Sequence, residues 1–155
     1  MQAEGTLEIG VSRASTWDAL TDPAVLADCV SGAGSMSIEP ASPTELAVRG
    51  RIGQGFLSLP AVGRVELSDL SRPNAAAAIL HGSVAGATLQ ATGRVTLEAM
   101  APDRTLLRWA ADASLEGPLA GMATPYLDRE GPGWVARMLD RLRNRLESEP
   151  VSGPA

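Results

Sequence analysis

The chain predicts an α+β fold, a curved antiparallel sheet closed around a long C-terminal helix, and three observations lead there. Six strand-like segments follow one another from Ser35 to about Leu115 with only short breaks between them. Gaps of that length favour hairpins and leave no room for the crossover helices of a parallel sheet. A helical period then closes the chain, with Trp134, Val135, Met138, Leu139, Leu142 and Leu146 spaced along one face. Ahead of the sheet stand one isolated strand and two short helix signals. A sheet with one apolar face must bury it, and the C-terminal helix is the long element available to do so.

The elements follow in order. In TLEIGVS, residues 6 to 12, Leu7, Ile9 and Val11 alternate as in a half-buried strand. Ser15 is the expected N-cap of a first helix carrying Trp17, Ala19 and Leu20. That helix must end near Thr21 and Asp22, because the residue before Pro23 is pushed out of helical geometry. Pro23 opens a second short helix with Asp22 as its cap and Val25, Leu26, Cys29 and Val30 facing inward, and Gly32 and Gly34 stop it. The strands are SMSIEP, TELAVRGRI, LPAVGRVELSDL, AAAILHGSV, TLQATGRVTLEAM and RTLLRWAADASLE. In the final helix, Pro125 and Gly131-Pro132-Gly133 are expected to kink or break the backbone, either as the hinge of a lid or as a static kink. One domain over residues 1–148 is expected, with a disordered tail over 149–155. The arrangement is the helix grip.

Composition narrows the function. The net charge of −5 repels nucleic acid. All thirteen basic residues are arginine, which excludes lysine chemistry. One cysteine rules out an internal disulfide framework. The longest strictly apolar run, Ala75 to Leu80, falls far short of a membrane span. No signal peptide is visible, and the expected location is the cytoplasm.

The last two strands predict a hollow. Leu89, Ala91, Gly93, Val95 and Leu97 share one face of the first, and Thr105, Leu107, Trp109, Ala111, Ala113 and Leu115 share one face of the second. Their middles are small, whereas a tightly packed interior calls for larger side chains. An apolar hollow is a typical ligand pocket. The expected lining is Leu89, Ala91, Gly93 and Val95, then Leu107, Trp109, Ala111 and Ala113 from the adjacent strand. Trp17, Leu26 and Cys29 close it from the short helices, and Met122, Tyr126, Trp134 and Met138 cover it from the long one.

Catalytic groups are scarce. Cys29 has no histidine near it in the sequence, and Asp28 beside it works against a thiolate, so it is read as a small buried hydrophobe. His81 and Asp112 sit opposite the apolar face of their strands and are expected outside. One histidine and one cysteine do not make a zinc site. Gly50, Gly53 and Gly55 lack a phosphate-binding pattern and read as a hairpin or bulge.

The stretch WDALTDPAVLADCVSGAG resembles the signature of the carbon monoxide dehydrogenase G-subunit (CoxG) family, within the START-related SRPBCC superfamily. The family's Trp-x-x-Leu-x-Asp-Pro matches at Trp17, Leu20, Asp22 and Pro23, and its Leu-x-x-Cys-Ile-Pro-Gly at Leu26, Cys29 and Gly32. Val30 and Ser31 depart from that pattern, and Pro118 replaces a glycine in Glu116-Gly117-Pro118-Leu119-Ala120. The resemblance covers about residues 6 to 148. It implies non-enzymatic binding of a hydrophobic small molecule, a quinone or a lipid, in an internal cavity. It also implies a role in assembly or membrane recruitment of a molybdenum hydroxylase such as carbon monoxide dehydrogenase. No resident cofactor or metal is expected. The alternatives are a cyclase- or hydratase-type enzyme, whose polar groups would have to be His81, Asp112 or Tyr126, and a ligand-free assembly module.

Overall fold

The computed structural model describes residues 1–31, 36–52, 59–84, 86–118 and 120–148, leaving aside the side chains of residues 30, 31, 36, 52, 59, 69 and 126. Strand β1 (Gln2–Ile9) leads into helices α1 (Arg13–Leu20) and α2 (Pro23–Ser31). Strands β2 (Met36–Ser42), β3 (Glu45–Ile52), β4 (Leu59–Ser71), β5 (Ala75–Val84), β6 (Ala87–Ala101) and β7 (Arg104–Glu116) follow, then helix α3 (Ala120–Ser148). The described strands form one antiparallel sheet in the order β1-β7-β6-β5-β4-β3-β2. β2 to β7 are the expected meander, and β1 crosses over to pair with β7.

Two boundaries differ from expectation. β1 starts at Gln2 and stops at Ile9, instead of running from residue 6 to 12. Its early inward positions are Ala3 and Gly5, too small to register as apolar alternation, and pairing with Trp109 and Ala111 holds them in the sheet. Val11 lies beyond the strand, where its carbonyl accepts the Thr105 hydroxyl at 2.9 Å. The N-cap of α1 is Ser12, not Ser15: the Ser12 hydroxyl accepts the Ser15 N–H at 3.1 Å, which satisfies a free donor of the first turn. For α2 the expected cap holds, with an Asp22 carboxylate oxygen accepting the Ala24 N–H at 2.9 Å.

Of the kink or break expected in helix α3, the break does not occur: the helix continues through Pro125 and Pro132 as 29 helical residues. Each proline removes one backbone donor, from the bonds to Gly121 and Asp128, at a cost of ~3 kcal/mol in a helix interior. Packing elsewhere offsets that cost. Leu139, Leu142 and Leu146 enter a core with Ile9, Leu20, Cys29, Leu97 and Leu107. Leu142 keeps 1% of its surface and Leu107 none. Polar contacts fix the same end: Glu147 accepts the Gly10 N–H at 2.8 Å, and Arg145 pairs with Asp28. Further up, Gly131 lies against the Met1 side chain with no space for a methyl group. Contacts at Met1 and Gly10 make α3 run alongside β1, about 24 Å of helix against about 30 Å of strand.

A second cluster, Leu26, Ala27, Ile38, Leu46 and Leu67, joins α2 to β2, β3 and β4. Helix α1 is fastened to the turn between β4 and β5. The Trp17 ring N–H donates to the Ala75 carbonyl at 3.2 Å, and Arg72 lies over the ring while pairing with Asp18 at 2.8 Å. Residues 32–35, 53–58 and 149–155, which include the expected stops at Gly32 and Gly34, the Gly53-Gln54-Gly55 turn and the tail, lie outside the described residues.

Candidate functional site: the concave face between two cores

The concave face of the sheet is apolar along its length, but it is not packed along its length. Pairing sets three rows across the strands. One runs Ala76, Val95, Trp109, Gly5, the next Ala78, Gly93, Ala111, Ala3, and the third Leu80, Ala91, Ala113. The middle row is made only of alanine and glycine, and from β5 to β1 it spans about 14 Å. Ala91, Gly93, Ala111, Leu80, Leu89 and Leu115 are half-buried and belong to neither core cluster. Val95, Trp109, Val135 and Met138 line the boundary with the first cluster, and Val48, Val65 and Ala78 the boundary with the second.

The glycines on this face divide into two kinds. At Gly5 a Cβ would sit 2.7 Å from the Trp109 ring nitrogen, so the glycine lets the indole lie flat across β1. Gly63 and Gly82 face each other where β4 and β5 approach closely, and a Cβ on either would strike backbone. Gly93 is different: the nearest heavy atom to an added Cβ is the Ala110 carbonyl oxygen at 4.0 Å. Among the described residues, no contact requires a glycine there.

The expected lining residues separate accordingly. Leu89, Ala91, Gly93, Val95, Trp109, Ala111, Trp134 and Met138 are half-buried, the strand residues on the concave face and Met138 on the side of α3 that meets the first core. Four expectations are corrected. Leu107, Leu26 and Cys29 are packed inside the clusters and keep almost no accessible surface, so they support the interior without bordering a hollow. Met122 is 77% exposed and points away from the sheet. Ala113 is buried beside Ala91, and Trp17 packs behind the first core. The Tyr126 side chain lies outside the described residues. Ala3, Gly5, Ala78 and Leu80 complete the face and were missed. Their signal was the parity of β1 and β5, muted by small side chains and by an unbroken alanine run.

The chemistry of this face is uniform. Thr16 and Thr105, the buried polar residues, both spend their hydroxyls on backbone carbonyls at the packed end. His81 and Asp112 stand exposed on the convex face, as strand parity required, with His81 between Arg64 and Gln90. Burial pushes the Cys29 thiol up from its ordinary value; Arg145 opposes this and Asp28 adds to it. A raised thiol is a poor nucleophile. Among the described residues no group of three or more His, Cys, Asp or Glu side chains is placed to hold a metal. Two shallow depressions, one around Gln2, Arg94 and Ala110 and one around Arg49, Val62 and Arg64, are lined mainly by convex-side residues, with Ala3 and Ala111 bordering the first and Val48 and Gly63 the second.

A curved antiparallel sheet, seven strands of it among the described residues, gripping one long helix, with two short helices after the first strand, defines a START-like helix-grip protein. The chain belongs to the carbon monoxide dehydrogenase G-subunit (CoxG) family, whose model matches residues 5–149. Solved structures agree on the fold. A conserved protein from Geobacillus kaustophilus superposes with a TM-score of 0.79 at 17% identity, covering 95% of each chain. The Zhui aromatase/cyclase from Streptomyces sp. R1128 gives 0.66 at 14% identity, over 99% of this chain and 98% of that one. A START superfamily protein from Mycobacterium smegmatis gives 0.65 at 15%, over 94% and 98%. No curated protein matches the chain by sequence. Among the described residues, no helix is long and apolar enough to cross a membrane.

Proposed function

We propose that this protein binds an apolar small molecule, a quinone or a lipid, on its concave face and holds it without turnover. The observation that carries the reading is Gly93, with its neighbours Ala78, Ala91 and Ala111. They form an apolar floor that no side chain among the described residues is seen to fill, between two packed clusters. Burying apolar ligand surface there contributes ~25 cal/mol per Å², and the described side chains of the floor ask for no polar complement. Family membership supports placing this binding in the service of a molybdenum hydroxylase such as carbon monoxide dehydrogenase, in its assembly or its recruitment to membranes. The fold relatives that are cyclases share the architecture. The imidazole and carboxylate that such chemistry would call on here, His81 and Asp112, point the other way.

Native mass spectrometry of the protein as purified, followed by solvent extraction, tests the reading. A bound mass released by solvent at one per chain is the expected result. A ligand-free protein whose tryptophan fluorescence is also unmoved by quinone or fatty-acid titration would defeat it. Co-purification with a molybdenum hydroxylase tests the partner separately.

A further inference from the structure

The apolar face has a polar group at its border. Trp109 stands in the row beside the floor, between Val95 and Gly5, and is half-buried against the first core. Gly5 determines how it lies. With no side chain at that position the indole crosses β1, and its ring nitrogen comes within 2.7 Å of where a Cβ would be. Ala3 and Ala111 of the floor lie one two-residue step away, about 7 Å along the strands.

Other donors nearby are spent. Thr16 and Thr105 donate to the Ser12 and Val11 carbonyls, and the Trp17 ring N–H donates to the Ala75 carbonyl. Among the described residues, the Trp109 ring N–H has no hydrogen-bond partner. Tryptophan N–H groups inside proteins usually find one. No sealed side-chain nitrogen or oxygen among the described residues goes unpaired, so this nitrogen is not sealed; it opens on the space beside it. An indole N–H only donates, so the group that completes it must be an acceptor. The strand residues of the floor and its adjoining rows carry no charge. A carboxylate brought there would lose its hydration with no cation to replace it, whereas a carbonyl oxygen loses less and gains the bond.

We propose that Trp109 is the polar anchor of the site: its ring N–H donates to a neutral carbonyl oxygen at one end of the bound molecule, whose apolar body lies on Gly93, Ala111 and Ala3. The proposal rests on the binding reading above and narrows its ligand. A pure hydrocarbon leaves the donor unused, and a free acid brings a charge that the face does not match. Gly5 belongs to the same device, because a side chain there would push the indole off β1.

Equilibrium dialysis of the intact protein against two probes of the same shape tests the anchor: 2-acetylnaphthalene, which carries a carbonyl, and 2-isopropenylnaphthalene, which has a methylene in place of the oxygen. Trp109→Phe keeps an aromatic ring and removes the donor. It should weaken the ketone by ~5–10-fold more than it weakens the alkene. Equal losses for the two probes would reduce Trp109 to a packing surface and overturn the anchor. Because Trp109 also packs on the first core, the parent protein supplies a second reading that needs no change at this position. With tryptophan labelled by nitrogen-15, and the Trp109 indole resonance assigned by elimination with Trp17→Phe and Trp134→Phe, the indole proton should move downfield with the ketone and not with the alkene. A resonance that answers both probes alike would overturn the anchor and leave the binding reading standing. 2-Naphthoate should bind more weakly than the ketone, and tighter binding would overturn the neutral class of ligand. A parent protein that binds neither the ketone nor the alkene would defeat the binding reading itself, and the anchor with it.

Discussion

The two ends of the same apolar face make different use of the same kinds of residue. Around Ile9, Leu107 and Leu142 the sheet carries branched side chains, the helix answers with leucines, and the space between is filled. Around Gly93 and Ala111 the sheet carries only small side chains, and the first half of α3 carries two prolines. One end is packed, and on the binding reading proposed above the other is left open for a ligand. Apolar character alone therefore does not distinguish a core from a binding surface; side-chain volume does.

Substitutions sharpen or break that contrast. Leu142→Ala should cost ~3–5 kcal/mol in chemical denaturation, because it empties a site with no accessible surface to collapse into. A loss below ~1 kcal/mol would erase the distinction between the two ends. Gly5→Ala should cost ~1–3 kcal/mol, since the methyl group displaces the Trp109 indole. Gly93→Leu is the mirror image: stability within ~1 kcal/mol of the parent, but apolar probe affinity down by at least ~10-fold, as the side chain takes the ligand's place. If Gly93→Leu destabilises as Gly5→Ala does, the face is packed and the contrast fails.

Smaller effects belong to the packed end. With its pKa raised on folding, Cys29 favours the native state while the unfolded thiol stays protonated, and that contribution shrinks as pH climbs above the unfolded thiol's ordinary value of ~8.5. The urea midpoint should fall between pH 7 and 9.5 by more in the parent than in Cys29→Ala, and native Cys29 should resist thiol reagents. Arg145→Ala removes a partly exposed ion pair with Asp28 and should change stability by less than ~1 kcal/mol, less still in high salt.

Much of this was legible in the sequence, for reasons that differ by residue. The meander was readable because alternation in β6 and β7 is strict and the breaks are short. Strand parity alone places His81 and Asp112 on the outer face, where both stand exposed. The start of β1 was not readable, because Ala3 and Gly5 reveal their role only through Ala111 and Trp109, more than a hundred positions away. The N-cap of α1 fell to Ser12 because two serines three apart compete, and the Ser12 hydroxyl is the one that accepts a first-turn N–H, that of Ser15. The prolines in α3 were expected to break it; the leucines after them hold the helix together, a packing term that local propensity does not contain. Leu107 was placed on the correct face but lies in its packed half, since parity specifies a side of the sheet and not what covers it, while Leu26 and Cys29 face inward from α2 as expected but into the packed clusters.

The bond from Gly10 to Glu147 joins positions 137 residues apart. A chain emerging from the ribosome makes β1 early and must hold it unpaired until β7 and α3 arrive. During that interval Leu7 and Ile9 are exposed on a strand with no neighbour, and the hairpins from β2 to β7 assemble first. Synthesis is therefore the moment of greatest exposure to aggregation, and chaperone capture should target the first strand. A topology with so much long-range closure folds in milliseconds to seconds, not microseconds. Any apolar cargo taken up at this stage would have to wait for the same closing step that completes the fold.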